Sequence, residues 1–132
     1  MNIKITAIFL IILGFTVFLS GCNYKNYEVI RTNETNAIQL FENYVVNSEM
    51  YNLTNGYSLL FVGSTEHYDE ACESLFHTHY VMSSNYFYEN CYEITYRFRV
   101  NSSNFSNIDY IIMSSYVMED RLQNISMIEV PK

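Results

Sequence analysis

The sequence predicts an α+β fold, with one or two N-terminal helices packed on an antiparallel β-meander. Three observations support this prediction. Apolar residues recur at helical spacing after residue 32, a strand-like alternation runs through residues 85–101, and two further apolar runs follow it. Residues 32–132 are therefore expected to form a single small globular domain.

The segment 32–52 is predicted to form the first helix. Thr32 or Asn33 can cap its start, and Glu34 lies in the first turn, where the helix dipole favours an acidic side chain. Gly56 is expected to end the helix. The predicted buried stripe consists of Ala37, Leu40, Phe41, Tyr44, Val45 and Tyr51.

The next two elements are a strand and an amphipathic helix. Residues 57–63, "YSLLFVG", are short, apolar and aromatic, which is typical of a buried strand. Ser64 and Thr65 can cap a second helix, because apolar residues between Tyr68 and His79 recur at helical spacing. A strand over residues 76–82 is the competing interpretation, and the sequence does not decide between them.

The last part of the chain predicts a meander. Residues 101–104 form a polar loop, residues 108–118 a second strand, residues 119–121 a turn and residues 123–130 a last strand. The strand before the loop has an apolar face composed of Ile94, Tyr96, Phe98 and Val100. Helices followed by a meander would also fit a cystatin-like or NTF2-like wrap.

The first 22 residues have the pattern of an export signal. Lys4 precedes an uncharged apolar run over residues 5–19, and Ser20 and Gly21 then precede Cys22. Leu19-Ser20-Gly21-Cys22 resembles the lipobox of bacterial prolipoproteins. The resemblance implies that residues 1–21 are cleaved, that Cys22 carries diacylglycerol and acyl chains such as palmitate, and that residues 22–31 form a lipidated tether. The alternative is a signal-anchor helix with an incidental Cys22.

The same resemblance implies a location but no activity. The domain would be lipid-anchored in the bacterial cell envelope and face the periplasm or the cell exterior. Asn23 replaces the Asp that favours retention in the inner membrane, so the outer membrane is favoured over the inner one. No cofactor is expected apart from the acyl modification of Cys22.

Charge limits the classes of partner. The chain has 14 acidic and seven basic residues, a net charge of −7. Lys4 is the only charged residue in 1–21, so 14 acidic and six basic residues remain in 22–132, a net charge of −8. An acidic domain is a poor ligand for nucleic acid and fits a basic protein partner. Acidity that only keeps the domain soluble is an equal alternative.

Two cysteines remain after Cys22. Export places Cys72 and Cys91 in an oxidising compartment, where two leftover thiols most simply form a disulfide. The bridge would close a loop of about 20 residues, worth about 3 kcal/mol in the chain-entropy model. The spacing is not that of a redox-active Cys-x-x-Cys pair.

A metal site is one candidate chemistry. Residues 66–79 contain every His of the chain. His77 and His79 would share a face in a strand, whereas Glu73 and His77 would be the better chelating pair in a helix. A solvated acidic helix face with one inward His is the competing interpretation, and it is favoured.

A binding surface is the other candidate. Tyr80, Tyr86, Tyr88 and Tyr92 lie around Cys91, and a disulfide would stiffen them as a platform. The competing interpretation, that these rings are simply core and sheet-surface residues, is favoured. Separately, Arg97 and Arg99 alternate with an apolar strand face and can bind an anionic group or simply face solvent.

No catalytic residues are predicted, because no nucleophile motif or phosphate-binding loop is present in the sequence. The expected function is therefore a membrane-anchored protein-binding module, for example an inhibitor or immunity-type protein that meets a basic toxin or lytic enzyme. A metal or small-ligand carrier that uses residues 66–79 is the first alternative. A structural accessory of an envelope complex is the second.

Overall fold

A four-stranded antiparallel sheet and a helix on one of its faces form the main body of the molecule. The structure is a computed structural model that describes residues 28–68, Cys72 and residues 86–132. Its elements are β1 (Glu28–Ile30), α1 (Glu34–Asn47), α2 (Glu49–Leu53), β2 (Tyr57–Tyr68), β3 (Tyr86–Tyr88), β4 (Asn90–Arg99), a 3-10 helix (Ser103–Phe105), β5 (Ile108–Met118) and β6 (Arg121–Pro131). The predicted α+β class is confirmed.

The sheet has the order β2-β4-β5-β6, and all neighbours are antiparallel. Strands β4, β5 and β6 form the predicted meander, with a tight turn at Glu119 and Asp120 between the last two. Strand β2 adds to the other side of β4. The short strands β1 and β3 pair in parallel as a separate two-stranded sheet.

The first predicted helix is present but divided in two at Ser48. Asn33 caps α1, since its side chain accepts a hydrogen bond from the Asn36 amide at 3.0 Å. Ser48 has an extended backbone, with ψ 149°, and its hydroxyl accepts from the Tyr51 amide at 3.2 Å. The same residue therefore ends α1 and caps α2, because a short hydroxyl side chain can replace the missing helical partner.

The end of α2 differs from the prediction in detail. The helix ends at Leu53, and Asn55 takes the left-handed conformation (φ 46°). Gly56 is needed for a different reason: a Cβ there would lie 2.6 Å from the Tyr51 ring and 2.9 Å from the Phe98 ring. Glycine at this position lets the chain pass between two aromatic rings as it enters β2.

The predicted second helix is wrong for residues 64–68, which belong to β2. Ser64 is paired with Ile94, and Tyr68 with Asn90, in a continuous ladder along β4. Pairing with β4, a largely buried strand, satisfies the backbone of this segment and outweighs its local helical spacing. The competing predictions for residues 76–82 lie outside the described residues.

The main core lies between α1 and one face of β4 and β5. Ala37, Phe41 and Val45 of the predicted helical stripe are fully buried, whereas Tyr44 is 38% exposed. The predicted apolar face of β4 is confirmed, with Val100 only partly buried at its end. The buried strand residues of this core are Tyr92, Ile94, Tyr96, Phe98, Ile108, Ile111, Met113 and Val117. Each large side chain in this core contributes about 2 kcal/mol by burial.

Candidate binding surface

The sheet exposes its second face, on the side opposite α1. Side chains alternate between the two faces of a strand, so residues one position away from the core residues point outward. Cross-strand register aligns Leu60 with Arg97, Arg97 with Ile112, and Ile112 with Ile128. We call Leu60, Arg97, Arg99, Tyr110, Ile112 and Ile128 the open face.

Apolar side chains of the open face reach solvent. Leu60 is 47% exposed and Ile128 is 58% exposed, at opposite edges of the sheet. Ile112 lies between them and is half-buried. Within the described part of the chain, both helices lie on the opposite side of the sheet from this row. Apolar groups on three of the four strands, with Arg97 on the fourth, are an unusual surface for a water-facing sheet.

Two arginines lie among these apolar groups. The Arg97 guanidinium is 5.6 Å from the centre of the Tyr110 ring, in cation–π contact. Arg99 Nη1 donates a hydrogen bond to Asp109 Oδ1 at 3.0 Å, and its side chain is still 58% exposed. The open face therefore places two cations on a molecule whose net charge is −7.

A groove runs between the start of β2 and the end of β4. The register shifts between Tyr57 and Leu60, where Ser58 has φ 51°, so the two strands separate locally. The resulting groove has a volume of 330 Å³ and is lined by residues 58–60, residues 97–99 and Tyr110. It brings apolar side chains, a phenol and both arginines to one place.

The other end of β4 holds a buried polar joint. Asn90 is 1% exposed, and its side chain accepts from the Thr32 amide at 2.7 Å and donates to the Thr32 carbonyl at 3.2 Å. It also donates to Glu66 Oε1 at 2.6 Å. The Thr32 hydroxyl accepts from the Glu119 amide at 3.1 Å. These bonds tie the start of α1 to β2, β4 and the β5–β6 turn.

Carboxylates beside this joint are held in the charged form. Hydrogen bonds from Tyr68 and Asn90 lower the pKa of Glu66. The guanidinium of Arg31 donates from Nε and Nη2 to the two oxygens of Glu89, each at 2.8 Å, and lowers the pKa of that carboxyl. The hydrogen bonds of Glu66 and Glu89 are therefore explained by a structural role, which is to hold neighbouring segments together.

The predicted disulfide is present. Cys72 and Cys91 are bonded with their Cα atoms 5.7 Å apart. Both are buried, beside Met118, and form a second small core at the Asn90 end of β4. The sequence therefore predicted this pair correctly.

The predicted tyrosine surface is only partly described. Tyr92 is 9% exposed and faces α1, where burial raises the pKa of its phenol. Tyr86 and Tyr88 lie on β3, opposite Glu28 and Ile30 in the parallel pair. Tyr80 lies outside the described residues. The structure places Tyr92 in the core, and the shared surface stays a prediction.

The proposed metal ligands Glu73, His77 and His79 also lie outside the described residues, as does Cys22. Among the described residues, no group of three His, Cys, Asp or Glu side chains is placed to hold a metal. Within this part of the chain, His67 Nε2 lies 3.3 Å from Glu93 Oε2, which is a pair and not a set of three ligands. The metal site stays a prediction.

Comparison with known proteins does not extend these observations. No family model, no curated protein and no solved structure gives a significant match to this chain. In residues 28–68 and 86–132, no helix is long and apolar enough to cross a membrane.

Sequence reasoning missed the open face as a surface. The sequence shows that Arg97 and Arg99 alternate with the apolar face of β4, but it does not place apolar residues of the other strands beside them. The available sign was that Ile111 and Ile112 are adjacent, so they must point to opposite sides of one strand. An apolar residue on each side of β5 indicates that each face of the sheet is either covered by other residues of the chain or exposes an apolar surface.

Proposed function

We propose that this chain is a membrane-anchored protein-binding module of the bacterial cell envelope, and that the open face is its contact surface. The observation that supports this most directly is the exposed apolar row that ends at Leu60 and Ile128. Exposed apolar groups that surround arginine and tyrosine are the composition of protein interfaces, because these side chains combine large buried area with directed polar contacts.

The proposed anchor is Cys22, in the lipobox-like stretch 19–22. Two or three acyl chains would hold the domain at the membrane, since each buried methylene contributes about 0.8 kcal/mol. Labelling cells with radioactive palmitate tests this step. We expect the wild-type chain to be labelled and to sediment with membranes, and Cys22→Ala to lose both properties. An unlabelled wild-type chain would contradict the anchor.

An inhibitor or immunity-type role is the specific version of this proposal. The net charge of −8 for residues 22–132 would attract a basic toxin or lytic enzyme over long distance and speed encounter. A rigid sheet face would then supply the contact, because little conformational entropy is lost when a preformed surface binds. The order of helices α1 and α2 followed by antiparallel strands supports a cystatin-like or NTF2-like wrap, which we keep as a proposal for the finer fold.

The binding role is tested by disrupting the apolar row in cells. The full chain with Leu60→Asn and Ile128→Asn keeps the core intact, since both side chains reach solvent. We expect a partner that co-purifies with the wild-type chain after chemical crosslinking to be lost from this variant. The matched control is Leu53→Asn, a 56% exposed leucine at the end of α2, away from the open face. Equal recovery from all three proteins would contradict the proposed surface.

A further inference from the structure

We infer that the groove between β2 and β4 receives an acidic, apolar segment of the partner protein, with a carboxylate held by Arg97 and Arg99. This inference rests on the proposed function, because it names the chemistry of the partner at the open face. Three features of the groove support it: the placement of the two guanidinium groups, their remaining hydrogen-bonding capacity, and the apolar side chains beside them.

The groove presents its guanidinium groups in defined positions. Arg97 and Arg99 are two residues apart on β4, so their side chains leave the same face of the sheet. The Tyr110 ring contacts the Arg97 guanidinium, and Asp109 holds Arg99. Cations that are already oriented lose less conformational freedom when they bind an anion than free side chains do.

Both arginines keep capacity for a ligand. A guanidinium has five N–H donors in a planar fork. Arg99 donates one hydrogen bond, from Nη1, to Asp109 Oδ1. The Arg99 side chain is still 58% exposed, so its other donors can reach a ligand. Arg97 Cζ lies over the Tyr110 ring, 5.6 Å from its centre, and a cation–π contact of this kind uses the charge of the guanidinium and not its N–H donors. A carboxylate can accept two N–H bonds from either fork.

The surroundings favour a protein segment over a simple anion. Leu60 and Tyr110 line the groove, and Ile112 continues the apolar surface beside Arg97. A free inorganic anion gains nothing from these groups. A segment that carries Asp or Glu next to apolar or aromatic residues would use the cations and the apolar wall together.

An anionic membrane is the other ligand to consider for a lipid-anchored domain. A basic cluster gains about 1 kcal/mol per Lys or Arg near such a surface, and stable attachment uses a cluster of several. The open face offers two arginines, and the net charge of −8 for residues 22–132 opposes approach to anionic lipid. The local charge therefore favours a carboxylate on a protein, and that protein can still be basic overall.

The test uses the full chain in detergent and a labelled random copolymer of glutamate and tyrosine as the probe. Fluorescence anisotropy measures its affinity for the wild-type chain, for Arg97→Gln with Arg99→Gln, and for Arg31→Gln. Arg31 is the charge-matched control, because it is exposed and lies near the opposite end of β4, where it contacts Glu89. Thermal unfolding of each variant confirms that it remains folded.

We expect the double variant to bind the copolymer at least tenfold more weakly than the wild-type chain, and Arg31→Gln to bind within twofold of it. Glutarate should displace the copolymer more effectively than glycerol phosphate, a soluble analogue of an anionic lipid head group. Equal weakening by Arg31→Gln, tighter binding of a lysine–tyrosine copolymer, or better displacement by glycerol phosphate would each overturn the inference.

Failure of this inference is distinguishable from failure of the proposed function. If the double variant loses copolymer binding and also loses the crosslinked partner in cells, both stand. If the partner is retained by the double variant but lost from the variant of Leu60 and Ile128, the binding surface stands and the carboxylate chemistry is wrong. If neither variant affects the partner, both proposals are wrong.

Discussion

The clearest stability prediction concerns Asn90, whose side chain joins the start of α1 to the sheet. Replacement by Ala removes the hydrogen bonds to the amide and carbonyl of Thr32, at 2.7 Å and 3.2 Å. Thr32 is 4% exposed, so water cannot readily replace these partners. An unpaired buried group costs about 1–3 kcal/mol, and two are left unpaired. We therefore expect Asn90→Ala to lower the free energy of unfolding by about 3 kcal/mol.

Urea denaturation of the purified chain measures this change. The midpoint should fall while the slope against urea stays constant, because the native fold is retained. The control is Asn104→Ala, in the exposed 3-10 helix, with an expected change below about 0.5 kcal/mol. A loss below about 1 kcal/mol for Asn90→Ala would refute the reasoning, since the joint would then contribute no more than an ordinary surface contact.

Three further predictions test other parts of the fold. Replacing Cys72 and Cys91 together by Ala should lower the free energy of unfolding by about 3 kcal/mol, because the disulfide joins residues 19 positions apart. An unchanged urea midpoint would contradict this. Gly56→Ala should cost about 1–3 kcal/mol by overpacking against two aromatic rings, whereas Gly63→Ala, with open space around it, should be nearly neutral; equal thermal shifts would be inconsistent with the packing. Hydrogen bonds lower the pKa of Glu66 in the folded protein below its ordinary value of 4.5. The ionised carboxylate therefore stabilises the folded state above pH 4.5, and this contribution is lost as the pH falls through the folded-state pKa. When unfolding is followed as a function of pH, the free energy of unfolding of Glu66→Gln should accordingly fall less steeply below pH 4.5 than that of the wild-type chain.

Much of the sheet could be predicted because its strands carry their own pattern. Alternation along β4 and the turn residues after Met118 are local features, and burial on one face fixes the register. The helix was predictable for the same reason, but its break was not. The Ser48 hydroxyl divides the helix, because it donates to the Val45 carbonyl and accepts from the Tyr51 amide. Such hydrogen bonds depend on side-chain geometry and not on apolar spacing.

The incorrect helix at residues 64–68 has a different cause. A polar segment with helical spacing becomes a strand when a neighbouring strand offers its whole edge, and β4 does so as far as Asn90. This contact is between residues that are distant in sequence, so no local pattern contains it. The disulfide was predictable because pairing of two thiols needs only composition and compartment.

The candidate surface was the least predictable feature. A sequence shows which residues alternate, but whether a face is covered depends on where helices pack. Arg97 and Ile112 become neighbours only through the register of β4 with β5. The groove depends on the register shift at Ser58, which has a positive φ. Because this conformation is usually marked by glycine, a serine at this position does not predict it.

Site-specific photocrosslinking in intact cells tests the central claim most directly. A photoreactive benzophenone side chain replaces Ile128 on the open face in one full-length protein and Asn43, on the exposed side of α1, in another. We predict one crosslinked protein from position 128 and none from position 43. Crosslinking of the same protein from both positions, or from position 43 alone, would contradict the assignment of the open face as the binding surface.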